Sequence, residues 1–135
     1  MNYWLVKSEP ESYSWDDLQS KGEDIWDGIR NYQARNYLKE MRVGDQVLFY
    51  HSGKAKEIVG VAKVSMEAFP DPNDKEQKDW MAVKLVPSKS LPKPLNLEQI
   101  KSDDLLSGMI LLKQSRLSVM PLEKPQFEHI IKITS

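Results

Sequence analysis

Residues Gln46–Met66 read QVLFYHSGKAKEIVGVAKVSM, and this stretch decides the fold. Val43-Gly44-Asp45 makes a turn ahead of it, and Gln46–Ser52 then gathers β-branched and aromatic side chains between turn signals, the pattern of a strand. Gly53–Lys56 is a short polar hairpin loop. Glu57–Met66 returns as a second strand with Gly60 in its middle, a place where another backbone or a ligand can approach closely. After a polar loop, Pro70–Asp79, residues Trp80–Val86 make a third strand ended by Pro87. Strands in succession without intervening helices argue against a doubly wound parallel sheet and predict an α+β fold, with an antiparallel or mixed sheet curled into a small barrel.

Upstream, Asn2–Ser8 alternates as a strand that Pro10 ends. Ser14 and Asp17 have the form of a capping box for a short helix from Trp15 to about Ser20, with Trp15 and Leu18 as its buried pair and Gly22 as its stop. Asn31 caps a helix running to about Met41, in which Ala34, Tyr37, Leu38 and Met41 form one apolar stripe. Downstream, Ser88–Leu95 holds two prolines and reads as an extended linker. Asn96 caps a short helix, LEQIK, while Leu105–Leu112, interrupted by Gly108, fits helix or strand. Leu117–Met120 predicts a closing strand, and Pro125 opens a last helix that buries Phe127, Ile130 and Ile131. The 135 residues suit one domain, residues 1–135.

The absence of an apolar run of membrane-spanning length and of a basic-then-apolar N-terminus predicts a soluble, cytoplasmic chain with no membrane partner, a monomer by default. Zero cysteines and two histidines predict no metal and no cofactor. The six glycines are scattered singly, so no loop cradles phosphates for NTP hydrolysis. His51 and Ser52 are adjacent on a strand and point to opposite faces, which argues against a hydrolytic dyad. Net charge is −1, but residues 1–28 carry two basic against seven acidic groups, and residues 29–63 carry seven against three. A local basic excess attracts phosphate even on a near-neutral molecule, although a charge run is equally a solvated face.

That basic excess begins within Trp26–Asn36, WDGIRNYQARN, which joins an indole, a phenol, two guanidiniums and three side-chain amides around an Asp-Gly turn. Planar aromatics beside bidentate donors suit a flat polar ligand such as a base or a phosphate. On the helix, Tyr32, Arg35 and Lys39 share one flank with Asn36 nearby, and a solvated flank remains the alternative for them. Trp26 lies outside any periodic apolar stripe, which favours a ligand-facing role over the core.

YWLVKSEP, WDGIRNYQARNYL, GDQVLFYHS followed by GVAKV, and RLSVMPL, in this order across the chain, resemble the EVE domain family. The resemblance implies a PUA-like open β-barrel of about five to six mixed or antiparallel strands flanked by short helices, akin to YTH, ASCH and PUA domains. It also implies a noncatalytic reader of DNA or RNA that holds a modified base. Lys7 and Ser8 resemble the Lys-Ser pair ending the first strand of YTH domains, and Trp26 looks like their cage tryptophan. Phe69 is the only aromatic in Met66–Asp79, and Trp80 resembles a barrel-packing tryptophan, so the implied pocket has one stacking wall and polar sides. In that picture Ser8, Trp26, Asn31, Tyr32, His51, Ser52 and Ser118 form the base pocket. Lys7, Arg30, Arg35, Lys39 and Arg116 meet the backbone phosphates. His51, on a strand face with Val47 and Phe49, is also readable as a core histidine. Two rival readings are an enzyme on a modified nucleotide or RNA, with His51 or Glu9 as general base, and a protein-interaction domain whose aromatics are core.

Overall fold

The structure, a computed structural model, describes residues 1–135. Six strands form one mixed sheet: β1 (Tyr3–Ser8), β2 (Asp24–Trp26), β3 (Gln46–His51), β4 (Glu57–Pro70), β5 (Met81–Asn96) and β6 (Val119–Leu122). Their spatial order is β2-β5-β4-β3-β1-β6. β1 runs parallel to β3, and every other neighbouring pair is antiparallel. β2 and β6 are the two edges, so the sheet stays open and does not close into a barrel. Five α-helices pack around it: α1 (Trp15–Lys21), α2 (Tyr32–Glu40), α3 (Leu97–Ser102), α4 (Ile110–Lys113) and α5 (Lys124–Ile133). None is long and apolar enough to cross a membrane.

The caps fall where local chemistry puts them. Ser14 Oγ accepts from the Asp17 N–H at 3.1 Å and the Asp17 carboxylate accepts from the Ser14 N–H at 2.8 Å, while Gly22 closes α1 in the left-handed region at φ 77°. Asn31 Oδ1 accepts from the Ala34 N–H at 2.9 Å and starts α2, which buries Ala34 and Leu38. The apolar faces meet in a core of 31 buried residues. Asp45 is buried in the turn before β3 and accepts from the Trp4 indole N–H at 3.0 Å and the backbone N–H groups of Asn2 and Arg42, which ties that turn to β1.

One expectation needs correction, and one open reading is resolved. Ser88–Leu95 is the second half of β5, with Pro87, Pro92 and Pro94 inside it. Proline is tolerated there because β2 covers β5 only at Val83–Leu85, and because the register against β4 jumps from Ser90 to Leu95. Leu105–Leu112 divides between a single 3₁₀ turn, Asp104–Leu106, and α4. The short β2 had no counterpart in the sequence reading.

Candidate functional site

β1 ends at Ser8, β2 ends at Trp26, and the chain that follows each of them bounds a cavity of about 690 Å3. Lys7, Ser8, Tyr13, Asp24 and Trp26 are among its lining residues. Asp24 and Trp26 share a face of β2, because side chains two apart on a strand point the same way. Trp26 is 8% exposed and meets two rings edge-on: Tyr13 at 5.9 Å and 76°, and Phe49 at 5.4 Å and 73°. Phe49 in turn contacts Trp15 at 5.2 Å. Trp26 is thus a firmly backed wall, one side in the core and the rest at the cavity.

The polar groups around that wall are unevenly satisfied. Tyr13 Oη is buried and makes no hydrogen bond of full geometry, although it faces the Asp24 carboxylate, and burial first, then Asp24, with Asp17 adding to it, pushes its phenol well above the usual range. Burial alone raises the Asp24 carboxyl, but the Tyr13 phenol, the Ile25 N–H and Lys21 outweigh it and hold the group below the usual carboxylate range. Asp24 Oδ1 accepts from the Ile25 N–H at 2.8 Å and Oδ2 faces Lys21 at 3.2 Å. Ser8 Oγ donates to the Tyr13 carbonyl. Lys7 Nζ donates to the Ser115 carbonyl at 2.8 Å, and burial lowers its ammonium below the ordinary lysine value. The site therefore offers a hydroxyl and an ionised carboxylate beside an indole, groups that hydrogen-bond a flat ligand's edge while the ring packs on its face.

The loop after β2 is held by a residue the sequence reading passed over. Asp71 has a fully buried side chain and accepts from the Gly28 N–H at 2.9 Å, the Asn73 N–H at 2.7 Å and the Arg30 guanidinium at 2.8 Å. Burial raises its carboxyl, but Arg30 and the two N–H groups reverse the sign and leave it below the usual range. Gly28 sits at φ 75°, which suits a residue without Cβ at this turn.

Of the predicted pocket residues, Ser8 and Trp26 line the cavity, and Lys7 joins them from the predicted phosphate set. The others lie elsewhere. His51 Nε2 accepts from the Trp15 N–H at 3.0 Å, capping the start of α1, and burial lowers its imidazole despite Glu57, Asp16 and Glu9. The Ser52 N–H donates to the Ser8 carbonyl at 2.9 Å, and the Ser118 carbonyl accepts from the Lys7 N–H at 2.9 Å, so both serve the main chain that carries Lys7 and Ser8. Asn31, occupied as a helix cap, borders a second depression of about 330 Å3 with Arg116, Lys113 and Gln33. Tyr32 stands outside the cavity, 62% exposed and stacked on Trp80 at 5.0 Å and 21°. Trp80, itself buried, backs this stack. The three cations Arg30, Arg35 and Lys39 surround that stack and pair with Asp71 or Asp79.

The chain matches the EVE domain over residues 2–133. It belongs to the EVE domain family. Thymocyte nuclear protein 1 of Mus musculus is 36% identical, with 98% of this chain and 73% of that protein covered. Among solved structures, Rpa0253 from Rhodopseudomonas palustris is 40% identical with a TM-score of 0.93, covering 99% of this chain and 93% of its own. The human THYN1 protein in complex with 5-methylcytosine-containing DNA is 31% identical with a TM-score of 0.92, covering 100% of this chain and 98% of its own. An ASCH protein from Zymomonas mobilis, at 16% identity and a TM-score of 0.62, shares the fold. The vertebrate relatives are named as nuclear proteins, which overturns the cytoplasmic expectation: that expectation rested on hydropathy and N-terminal composition, neither of which carries a compartment.

Proposed function

We propose that this EVE domain binds DNA or RNA carrying a modified base and holds that base, extruded from its strand, in the Trp26 cavity without altering it covalently. The observation that carries the reading is the buried Tyr13 hydroxyl, which makes no hydrogen bond of full geometry, beside the Trp26 wall and the ionised Asp24. A buried polar atom with no partner costs free energy in the empty protein, and a base edge supplies the missing bond. The 5-methylcytosine DNA bound by the similar human protein supports a methylated pyrimidine as the first base to test. Lys7 and Ser8 stand at the end of β1 to meet the ligand, and Arg116 with Asn31 in the second depression faces the strand beyond it. His51 is not among the cavity's lining residues and is engaged as a helix cap, so the binding reading is preferred to a histidine base.

Titration of matched oligonucleotides with and without 5-methylcytosine, at one stated salt concentration, tests the reading. The methylated strand is expected to bind more tightly, and Trp26→Ala to cost about 1–3 kcal/mol. Tyr13→Phe keeps the wall and the fold while removing one hydroxyl, and is expected to lower the preference for the modified strand. Equal affinity for both strands, unmoved by either substitution, overturns the proposal.

A further inference from the structure

The Tyr32–Trp80 stack takes no part in the cavity, yet it is built with care. Tyr32 is the first residue of α2, exposed, with the indole of Trp80 nearly parallel behind it at 5.0 Å. The Arg35 guanidinium is 5.0 Å from the Tyr32 ring and 5.8 Å from the Trp80 ring. These three separations form a nearly equilateral triangle, so indole and guanidinium lie toward the same side of the phenol, and its outer face is open. Arg30, 5.5 Å from the Trp80 ring, is fixed from below by buried Asp71. Arg35 and Lys39 share one exposed carboxylate, Asp79, at 3.7 and 2.7 Å. An open aromatic face with a rigid backing and a net cationic edge is the arrangement that stacks a base and holds its phosphate.

We infer that the outer face of Tyr32 is a second nucleobase site, which stacks an unpaired base next along the strand from the one in the cavity. Arg35 and Lys39 take the phosphate in place of Asp79. Ile29 lines the cavity and Tyr32 follows three residues later, a span of at most about 11 Å, so one strand reaches both sites. The inference rests on the nucleic-acid reading above but not on base modification, because every base presents a π-face.

The test titrates a short single-stranded DNA, unmodified and with one 5-methylcytosine, against wild type, Tyr32→Ala, Tyr32→Phe and Asp79→Ala. Tyr32 and Asp79 are exposed, and thermal melting checks that each variant folds as wild type does. Tyr32→Ala is expected to weaken both strands about tenfold while leaving the ratio between them unchanged, and Tyr32→Phe to restore both. Asp79→Ala is expected to tighten both strands at low salt, with a steeper salt dependence, because two cations are freed for phosphate. If Tyr32→Ala binds both strands within about twofold of wild type, or changes their ratio instead, the second site is wrong. A wild type that binds neither strand overturns it as well. Should wild type bind both strands equally while Tyr32→Ala still weakens them, the cavity reading fails and the Tyr32 site stands.

Discussion

Trp26 and Tyr32 come from one short segment and end in opposite surroundings, 8% against 62% exposed. Trp26 lies on β2, whose pairing with β5 at Val83 turns its indole toward Phe49 and the core. Tyr32 lies on α2 about 200° from Ala34, the start of the buried stripe, so the same helix that hides Ala34 presents Tyr32 to water. The aromatic content of a segment therefore says little about what it faces; the pairing partner decides. The two surroundings imply two modes of recognition. On the function proposed above, the enclosed wall selects by the polar groups set around it, and the open ring accepts any base.

The enclosed wall is most vulnerable from behind. A Cβ at Gly60 meets ring atoms of Trp15 at 2.3 Å, and Trp15 backs Phe49, which backs Trp26. Gly60→Ala is expected to cost about 3 kcal/mol in urea unfolding and to loosen the cavity. Asp71 joins the two regions, through the Gly28 N–H on the cavity side and Arg30 on the stack side. Asp71→Asn should cost about 1.5–3 kcal/mol near neutral pH. Its folded carboxyl is depressed, so the stabilisation is complete above about pH 4 and is lost as pH falls through the lower folded value. Wild type and variant should accordingly converge in acid when unfolding is followed against pH.

Tyr13→Phe sharpens the contrast with the opposite sign. Removing a buried hydroxyl that makes no hydrogen bond of full geometry should raise unfolding stability by about 1 kcal/mol, while the same change weakens the preference for a modified base. Stability lost on substitution would mean that the hydroxyl is satisfied in the free protein. The smallest effect belongs to His51. Its imidazole is held neutral by burial and accepts from the Trp15 N–H, so it contributes fully above about pH 6.5 and the contribution is lost as pH falls through its depressed value. Wild type should lose some stability over that range, and His51→Gln should flatten the profile without altering oligonucleotide affinity.

What the sequence made legible was local. The Ser14–Asp17 box, the Asn31 cap, and the starts of β3 and β4 each depend on residues within a few positions of one another, and they lie where expected. β2 is three residues long and exists because Asp24–Trp26 finds Val83–Leu85, a pairing no local pattern announces. The same holds for Asp71, whose partners at Gly28 and Arg30 lie more than forty residues away. Trp26 was legible as an aromatic without a stripe, whereas Tyr13 was hidden in the polar run after Pro10. One clue was available: Asp24 and Trp26 alternate with Ile25, so a strand reading of DIW sets the carboxylate beside the indole. His51, Ser52 and Ser118 support the cavity's main chain and α1 and do not line the cavity, because their hydrogen bonds there run through the backbone or into a helix start, which a reading by side chain does not show.

The place of β1 in the sheet governs when the molecule can become itself. β1 lies between β3 and β6, and Tyr3–Val6 pairs with Val119–Leu122 across nearly the whole chain. During synthesis β1 must wait for β6, with one backbone edge unpaired beside Leu5 and Val6, which are fully buried in the finished protein. Such distant pairing is slow to form. The sheet is completed only after the ribosome has passed Leu122, so a strand that itself ends at the cavity is fixed in place only once the distant β6 has been made.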